Sequence, residues 1–105
     1  MLSLETKTFS WSDYKNRENI KKHGLSFREA VAVFLDPYLV IQHDEAHSTI
    51  EETRWKGIGV LGNDILLSII FTEEKENIVR LISAREATKK EKEYYSENIR
   101  YIFGA

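Results

Sequence analysis

The chain has 105 residues, which is enough for one domain with its own hydrophobic core and too few for two. With 42% hydrophobic and 30% charged residues, its composition is typical of a folded protein and argues against a disordered one. The lack of cysteine excludes a disulfide framework and a thiolate zinc site, and the formal net charge of -2 is unlike the basic balance of many nucleic-acid-binding domains.

The first part of the chain predicts a strand followed by a helix. The letters FSW at 9–11 are typical of a short strand. Ser12 is a suitable N-cap for a helix that begins at Asp13, because its hydroxyl can accept from a free backbone N–H of the first turn. Gly24 ends this helix, since glycine readily takes the left-handed conformation found at helix C-termini.

A second helix is predicted directly afterwards. Ser26 and Glu29 have the spacing of a capping box, in which each side chain bonds the backbone of the other residue. Phe27 begins a set of apolar residues with helical spacing that is expected to face the core. Asp36-Pro37 ends the helix, because the residue before a proline disfavours the helical conformation.

The second half of the chain predicts a meander of strands and a last helix. Strands are predicted at residues 39–43, 54–61, 64–72 and 78–84. Gly62-Asn63 is expected to form a two-residue hairpin turn, and 73–77 a polar turn. The strand between these turns is almost entirely apolar, so it is expected to be central and buried on both faces. Thr88 and Glu91 form the capping box of the C-terminal helix.

These elements predict the α+β class, with two N-terminal helices, an antiparallel β-meander and a C-terminal helix in a single domain over residues 1–105. The first nine residues lack the apolar stretch of a signal peptide. The longest apolar run, ILLSIIF at 65–71, is far shorter than the roughly 20 residues that cross a bilayer. We therefore expect a cytoplasmic protein with no membrane partner.

The segment HDEAH at 43–47 differs from the zinc-protease motif H-E-x-x-H in having Asp44 where the motif has glutamate. That motif requires a helix, which points both histidine rings to one side, whereas this segment follows the strand-like YLVIQ. In an extended segment, His43 and His47 lie roughly 13 Å apart, too far to share one ion. No metal site is predicted. His43 is expected to be solvated, while His47 keeps a functional interpretation because charged residues follow it closely.

An arginine interrupts the apolar strand segment IVRLIS. A buried charge is costly without a partner, so Arg80 either pairs with a carboxylate, lies on a solvent-exposed face, or is held on a rigid strand to bind a phosphate. A two-residue hairpin turn places Arg54 opposite Phe71 on the central strand. Whether Arg80 shares that face depends on the length of the 73–77 turn, because a one-residue slip reverses the faces.

Structural reasons account for several other notable residues. Lys22 and His23 end the first helix, where positive charge suits the negative end of the helix dipole. Trp55, which is close to Gly57 and Gly59, is interpreted as core packing, with stacking on a nucleic-acid base as the alternative.

A series of short motifs follows in order along the chain. They are F-x-W at 9–11, K-H-G at 22–24, S-F-x-E-A at 26–30, F-x-D-P at 34–37, D-E-x-H-S at 44–48, E-E-x-R at 51–54, I-G at 58–59, F-T-E at 71–73 and R-L-I-S-A-R-x-A-T at 80–88. This pattern resembles the BrnT family, whose members are toxins of type II toxin–antitoxin modules. The specific part is the combination of K-H-G followed by S-F with I-S-A-R-x-A. One departure is Glu74, where many members carry a basic residue.

The resemblance implies a RelE-like fold and a ribonuclease toxin that cleaves RNA and inhibits translation. It implies a reaction with no metal and no cofactor, in which the RNA 2′-hydroxyl attacks the adjacent phosphate and a cyclic phosphate forms. The implied partner is a BrnA-like ribbon-helix-helix antitoxin that neutralises the toxin. Operator DNA is then contacted only through that antitoxin.

Within this implied mechanism, several residues are expected to act on RNA. The cations expected over the phosphate are Arg54, Arg80 and Arg85. His47 is expected to exchange protons near neutral pH, while Glu51 or Glu52 acts as a base or orients an arginine. The expected RNA-binding residues are Lys22, His23 and Trp55.

A second function, from a different class, is a non-catalytic binding module. In this interpretation the sheet and helices hold a ribbon-helix-helix DNA-binding partner and contribute to transcriptional autoregulation. The slightly acidic net charge fits a binding module better than a nuclease. Cleavage of RNA by the purified protein separates the two functions.

Overall fold

The computed structural model describes residues 8–62 and 64–104. The helices are α1 Asp13–His23, α2 Phe27–Ala30 and α3 Lys89–Phe103. The strands are β1 Thr8–Ser10, β2 Val40–His43, β3 Trp55–Val60, β4 Leu66–Lys75 and β5 Ile78–Glu86. Short 3-10 helices lie at Val31–Leu35 and Glu45–His47. Among the helices so described, none is long and apolar enough to cross a membrane.

Over the described residues, the strands form one five-stranded sheet in the order β1-β5-β4-β3-β2. Strands β2 to β5 pair antiparallel with their chain neighbours, and β4 lies in the middle, as its apolar sequence predicts. Strand β1 runs parallel to β5 at the sheet edge. The α+β class is confirmed. The sheet is mixed rather than wholly antiparallel, because the segment before α1 pairs with the edge of β5 that the meander leaves open.

The predicted helix caps are confirmed. The Ser12 hydroxyl accepts from the N–H of Lys15, and Gly24 ends α1 with a φ angle of 71°. The capping boxes at the starts of α2 and α3 are both formed reciprocally. These local signals therefore set where the helices begin.

The second helix winds more tightly than its sequence predicts. After α2 the chain continues as the 3-10 helix Val31–Leu35, which ends at Asp36. The fully buried residues Phe27, Ala30 and Val33 are spaced three apart. That spacing is the period of a 3-10 helix, so the tighter winding keeps one side of the segment against the core.

The β3–β4 hairpin differs from the prediction by one residue. The N–H of Leu61 donates to the carbonyl of Ile65 at 2.7 Å, which leaves three residues in the turn instead of two. Asn63, the second residue of the predicted turn, lies outside the described residues. Asp64 has a φ angle of 65°, a left-handed conformation that takes up the additional residue.

The longer turn changes the strand register. Trp55 lies opposite Phe71, and Arg54 precedes the strand. The expectation that Arg54 is opposite Phe71 is therefore wrong by one position. Because side chains alternate along a strand, this single residue decides which face each side chain occupies.

The β4–β5 hairpin has a shorter turn than the predicted 73–77. Strand β4 continues to Lys75, and Glu73 still pairs with β5. Strand β5 begins at Ile78, directly after Asn77, whose φ angle is 67°. The polar residues here belong to exposed strand ends, so their polarity did not mark the turn.

Within the part of the chain that the structure describes, two clusters of buried side chains form the core. The main cluster lies between α2 and one face of the sheet. Its fully buried residues are Phe27, Ala30, Val33, Leu67, Ile69, Phe71, Val79, Leu81 and Ala84. A smaller cluster joins α3 to β2 and β3 through Val40, Ile58, Ala87 and Tyr95. Helix α3 thus covers part of the other sheet face.

A buried asparagine fixes α1 to the sheet. Asn19 is 5% exposed, and its Nδ2 donates to the carbonyls of Ala84 at 2.8 Å and Leu25 at 2.9 Å. Its Oδ1 accepts from the N–H of Ala84 at 3.0 Å. One side chain therefore bonds both the N–H and the carbonyl of Ala84. Beyond the end of β1, where β5 has no neighbouring strand on that side among the described residues, α1 thus supplies the missing hydrogen bonds through Asn19.

We expect Gly59→Ala to destabilise the protein. A Cβ at Gly59 would lie 2.7 Å from Val33 Cγ1 and 3.1 Å from Leu39 Cδ1, closer than carbon atoms normally pack. Urea denaturation should show a loss of about 1–3 kcal/mol in the free energy of unfolding, the usual cost of overpacking. Gly57→Ala is the matched control, since its nearest contacts would be 3.4 and 3.5 Å. Equal losses in the two variants would contradict this packing argument.

Candidate functional site

Two arginines from different parts of the sheet line one small pocket. Arg54 comes from the residues just before β3, and Arg80 comes from β5. The pocket has a volume of about 110 Å³. Its polar lining residues are Ser12, Lys15, Glu52, Arg54, Thr72 and Arg80. These residues define the arginine pocket.

Strand pairing and two hydrogen bonds bring the arginines together. Arg80 pairs with Thr72 on β4. The Thr72 hydroxyl donates to the carbonyl of Thr53 at 2.6 Å, which ties the residue before Arg54 to the same part of β4. The N–H of Arg54 donates to the Ser48 hydroxyl at 2.8 Å and closes the loop before β3. Both arginines therefore lie beside Thr72.

Each arginine of the pocket has a carboxylate beside it. Arg54 Nε donates to Glu52 Oε1 at 2.8 Å. Arg80 Nη1 lies 3.7 Å from Glu74 Oε2, while the Ser10 hydroxyl donates to the other oxygen of Glu74 at 2.8 Å. The Arg80 side chain is 37% exposed, and such exposed ion pairs contribute little net energy. The carboxylates therefore orient guanidinium groups that stay partly exposed, 30% for Arg54 and 37% for Arg80, and a guanidinium pairs well with a phosphate.

Arg85 belongs to a separate cluster near the other end of β5. Its Nη1 and Nη2 donate to the two oxygens of Glu91 at 2.8 and 3.1 Å. Lys56 Nζ lies 2.9 Å from Glu91 Oε2, and the Ser68 hydroxyl donates to the same oxygen at 3.3 Å. The N–H of Thr88 donates to Glu91 Oε1 at 2.9 Å. These five residues form the Glu91 cluster, in which one carboxylate joins three strands to α3.

A bulge in β5 puts Arg80 and Arg85 on the same sheet face. Arg80 and Arg85 are five residues apart, so strict alternation would place them on opposite faces. The register shifts between them, where Ile82 is inserted, so that Arg80 pairs with Thr72 and Arg85 with Ser68. Thr72 and Ser68 share a face of β4, and the two arginines therefore do so too.

The environment of Glu91 keeps it ionised. Burial raises the pKa of the carboxyl group, but hydrogen bonds from Arg85, the Thr88 N–H and Lys56 outweigh burial and hold the pKa well below its ordinary value. The hydrogen bond with Glu91 in turn raises the pKa of the Arg85 guanidinium. At neutral pH the cluster therefore carries one negative and two positive charges.

The histidines of HDEAH do not share an α-helix, because His43 ends strand β2 and His47 ends a short 3-10 helix. The 3-10 helix Glu45–His47 places His47 Nδ1 2.8 Å from Oδ2 of the buried Asp44. His43 is exposed, with Nε2 3.4 Å from the Ser48 hydroxyl. Among residues 8–62 and 64–104, no group of three or more histidines and carboxylates could hold a metal ion. Asp44 orients the His47 ring, which is not part of the arginine-pocket lining.

The remaining predicted residues are dispersed. Glu51 and Trp55 line a wider pocket next to the arginine pocket. Trp55 also packs against the main core and pairs with Phe71, so its placement favours core packing. Lys22 and His23 are exposed at the end of α1 and line a groove beside β5.

Sequence reasoning assigned no site role to Lys15 or Lys56. Lys15 reaches the arginine pocket because it lies in the first turn of α1. The sequence could have indicated Lys56, because it lies two residues after Arg54 and side chains two residues apart on a strand point to the same face. Glu91 was explained by its capping role alone, which concealed its contacts with the sheet.

A sheet face that carries two arginine-containing sites defines a protein suited to bind an anionic ligand. A match to a family model identifies the protein more specifically. The model described as ribonuclease toxin, BrnT, of type II toxin-antitoxin system matches residues 11–91. The chain therefore belongs to the BrnT family.

A solved structure agrees with this assignment. The chain is similar to the crystal structure of the Brucella abortus ribonuclease toxin, BrnT, with 27% sequence identity and a TM-score of 0.64. The match covers 80% of this chain and 100% of that one. No curated protein matches the chain.

We expect Glu91→Gln to destabilise the protein in a pH-dependent way. At pH 7 the variant should lose about 2 kcal/mol in the free energy of unfolding, because hydrogen bonds to a charged group are lost. The pKa of Glu91 is lowered by folding. The contribution of the carboxylate is therefore fully present above its ordinary pKa and is lost as the pH falls toward the folded value.

Urea denaturation at pH 7 and in acid measures this effect. The difference between wild type and Glu91→Gln should shrink once the pH falls below the ordinary glutamate range. Glu93→Gln, on an exposed glutamate of the same helix, is the control and should change little at either pH. A difference that stays constant with pH would contradict the role of the Glu91 charge.

Proposed function

We propose that this chain is an endoribonuclease toxin that cleaves RNA and inhibits translation, with the arginine pocket as its active site. The observation that carries the proposal is the convergence of Arg54 and Arg80 beside Glu52 in a chain of the BrnT family. RNA cleavage needs positive charge over a phosphate and a group that accepts a proton. The arginine pocket has both.

The proposed reaction is metal-independent. The ribose 2′-oxygen attacks the adjacent phosphorus in line, the bond to the 5′-oxygen breaks, and a cyclic phosphate and a free 5′-hydroxyl form. A base removes the 2′-hydroxyl proton, and an acid protonates the leaving 5′-oxygen. Arg54 and Arg80 bind the non-bridging oxygens and stabilise the negative charge that develops there.

Glu52 is the proposed base. Its carboxylate lines the pocket and accepts from Arg54 Nε at 2.8 Å, so the arginine holds it in place. Glu51 lines the neighbouring pocket and is proposed to influence the charge around the site rather than to contact the reacting atoms. His47 lies outside the lining of the arginine pocket, and it is proposed to act as the acid once RNA is bound, because Asp44 engages Nδ1 and leaves Nε2 to deliver a proton. Lys15 is proposed as a third cation in the pocket.

RNA is proposed to extend beyond the reacting phosphate on both sides. Lys22 and His23 are exposed at the end of α1, where they are proposed to contact the RNA backbone. Arg85 is proposed to act on RNA from the Glu91 cluster, away from the reacting atoms. Trp55 is proposed to support the loop before β3 by packing, rather than to stack on a base.

The family also supports a partner. We propose that a BrnA-like ribbon-helix-helix antitoxin neutralises the protein, and that operator DNA is contacted only through this antitoxin. A cytoplasmic location, a single domain over residues 1–105 and a RelE-like grouping of the fold are parts of the same proposal. The reaction is proposed to need no cofactor.

A non-catalytic binding module is the second candidate. One observation favours it: Glu52 and Glu74 lie against Arg54 and Arg80, so the arginines already have anionic neighbours. In this case the chain contributes to autoregulation through its partner and cleaves no RNA. A cleavage assay separates the two candidates.

We expect the purified protein to cleave single-stranded RNA in the presence of EDTA. Arg54→Ala and Arg80→Ala should each lower the cleavage rate by about 100-fold, the scale of losing one group that stabilises the transition state. Arg100→Ala, on an exposed arginine of α3, is the matched control and should cleave normally. Circular dichroism should show the same fold for all variants.

Two results would contradict this proposal. Cleavage by Arg80→Ala at the wild-type rate would remove the arginine pocket from the reaction. Failure of the wild-type protein to cleave RNA, both alone and in a translating extract, would favour the binding module.

We expect Glu74→Gln to bind RNA more tightly. The Glu74 carboxylate lies beside Arg80, so its neutralisation should raise RNA affinity about two- to fivefold, as expected for an exposed ion pair. Fluorescence anisotropy with an uncleavable 2′-O-methyl RNA measures the affinity. Glu76→Gln, in the same hairpin, removes one negative charge elsewhere and controls for net charge. Equal gains in both variants would show that only the net charge matters.

A further inference from the structure

A second pocket lies on the same sheet face, between β3, β5 and the start of α3. It has a volume of about 430 Å³, within the range of small-molecule and cofactor sites. The lining residues that matter here are Gln42, Lys56, Arg85, Lys90, Glu91 and Tyr94. These residues define the helix-side pocket.

The helix-side pocket has an excess of positive charge. Lys56 and Arg85 share the single carboxylate of Glu91, and both keep about a third of their side chains exposed, 28% and 36%. Lys90 adds a third cation to the lining. With three cations and one anion, the pocket attracts a negatively charged ligand even though the whole chain is slightly acidic.

An aromatic ring lies next to these cations. Tyr94 is 44% exposed, and it follows Lys90 by four residues on α3. Residues four apart lie on the same side of a helix, so the ring and the amine line one wall together. A half-exposed aromatic ring beside cations suits single-stranded nucleic acid, whose bases stack on rings while its phosphates bind cations.

The distance between the two pockets sets the size of the ligand. Arg80 and Arg85 lie on one face, and their partners Thr72 and Ser68 are four residues apart on β4, roughly 13 Å for an extended strand. One phosphate group cannot span that distance. A strand of RNA can, with its reacting phosphate in the arginine pocket and a neighbouring nucleotide in the helix-side pocket.

We propose that the helix-side pocket is a subsite for a nucleotide that flanks the cleaved bond. Tyr94 stacks on the base, and Lys90 with Lys56 binds the phosphate. Glu91 is a positioning residue that holds Arg85 and Lys56 in the wall. This inference rests on the proposed ribonuclease function, and its test is arranged so that the two can fail separately.

The first test measures binding without cleavage. A fluorescent single-stranded 2′-O-methyl RNA of about eight nucleotides is titrated with wild type, Tyr94→Ala and Lys90→Ala. Tyr94→Ala should weaken binding about tenfold, the scale of one lost base stack. Lys90→Ala should weaken binding and lower the slope of log affinity against log salt by about 0.7, as for one lost phosphate contact on a single strand.

Matched variants on the same helix control for the loss of a ring or a charge. Tyr101→Ala removes a ring that is 86% exposed, and Lys89→Ala removes a lysine; neither residue belongs to the lining of the helix-side pocket. Both should bind RNA like the wild type. Equal effects of Tyr94→Ala and Tyr101→Ala, or no effect of Tyr94→Ala and Lys90→Ala, would overturn the subsite.

The second test measures cleavage of RNAs of different lengths. For a long RNA, Tyr94→Ala should raise KM about tenfold with little change in kcat. For an RNA too short to reach the helix-side pocket, it should behave like the wild type. Cleavage with no length-dependent effect overturns the subsite alone. Binding with the expected losses but no cleavage overturns the ribonuclease proposal and leaves the helix-side pocket as a site that binds a nucleotide of RNA.

Discussion

The carboxylate of Glu91 is the point at which helix α3 and the sheet depend on each other. The same group caps α3 and accepts hydrogen bonds from Arg85 on β5 and Ser68 on β4, while Lys56 approaches it from β3. Removing such a group would leave two cations against α3 without their shared partner. Helix α3 therefore docks where the sheet presents its positive charge, and one side of the helix-side pocket is built by the same contacts.

Charge compensation also explains how an acidic chain presents positive sites. Glu52, Glu74 and Glu91 lie against Arg54, Arg80 and Arg85, respectively. The pairs differ in strength. Glu91 is largely buried and accepts two hydrogen bonds from Arg85, whereas Glu74 is exposed and its Oε2 lies 3.7 Å from Arg80 Nη1. The Glu91–Arg85 pair is a structural link that also keeps a cation in the wall of the helix-side pocket. The Glu74–Arg80 pair is long and exposed, and we propose that it gives way to an RNA phosphate.

The local signals in the sequence were reliable where their cause was local. Ser12, Gly24 and both capping boxes marked helix ends correctly, because a cap is formed by residues three or four positions apart. The central position of β4 followed from its apolar sequence. The hairpin register was wrong by one residue, since the additional turn residue depends on a left-handed conformation at Asp64 that aspartate does not require.

The candidate site was predicted in part and assembled only by the fold. The sequence by itself determined the family resemblance, the helix caps, the strand order along the chain and the choice of Arg54, Arg80 and Arg85 as notable cations. The tertiary structure alone decided that Arg54 and Arg80 share a pocket while Arg85 belongs to another. The physical reason is that strand faces alternate with every residue, so one bulge at Ile82 and one turn residue change which side chains meet.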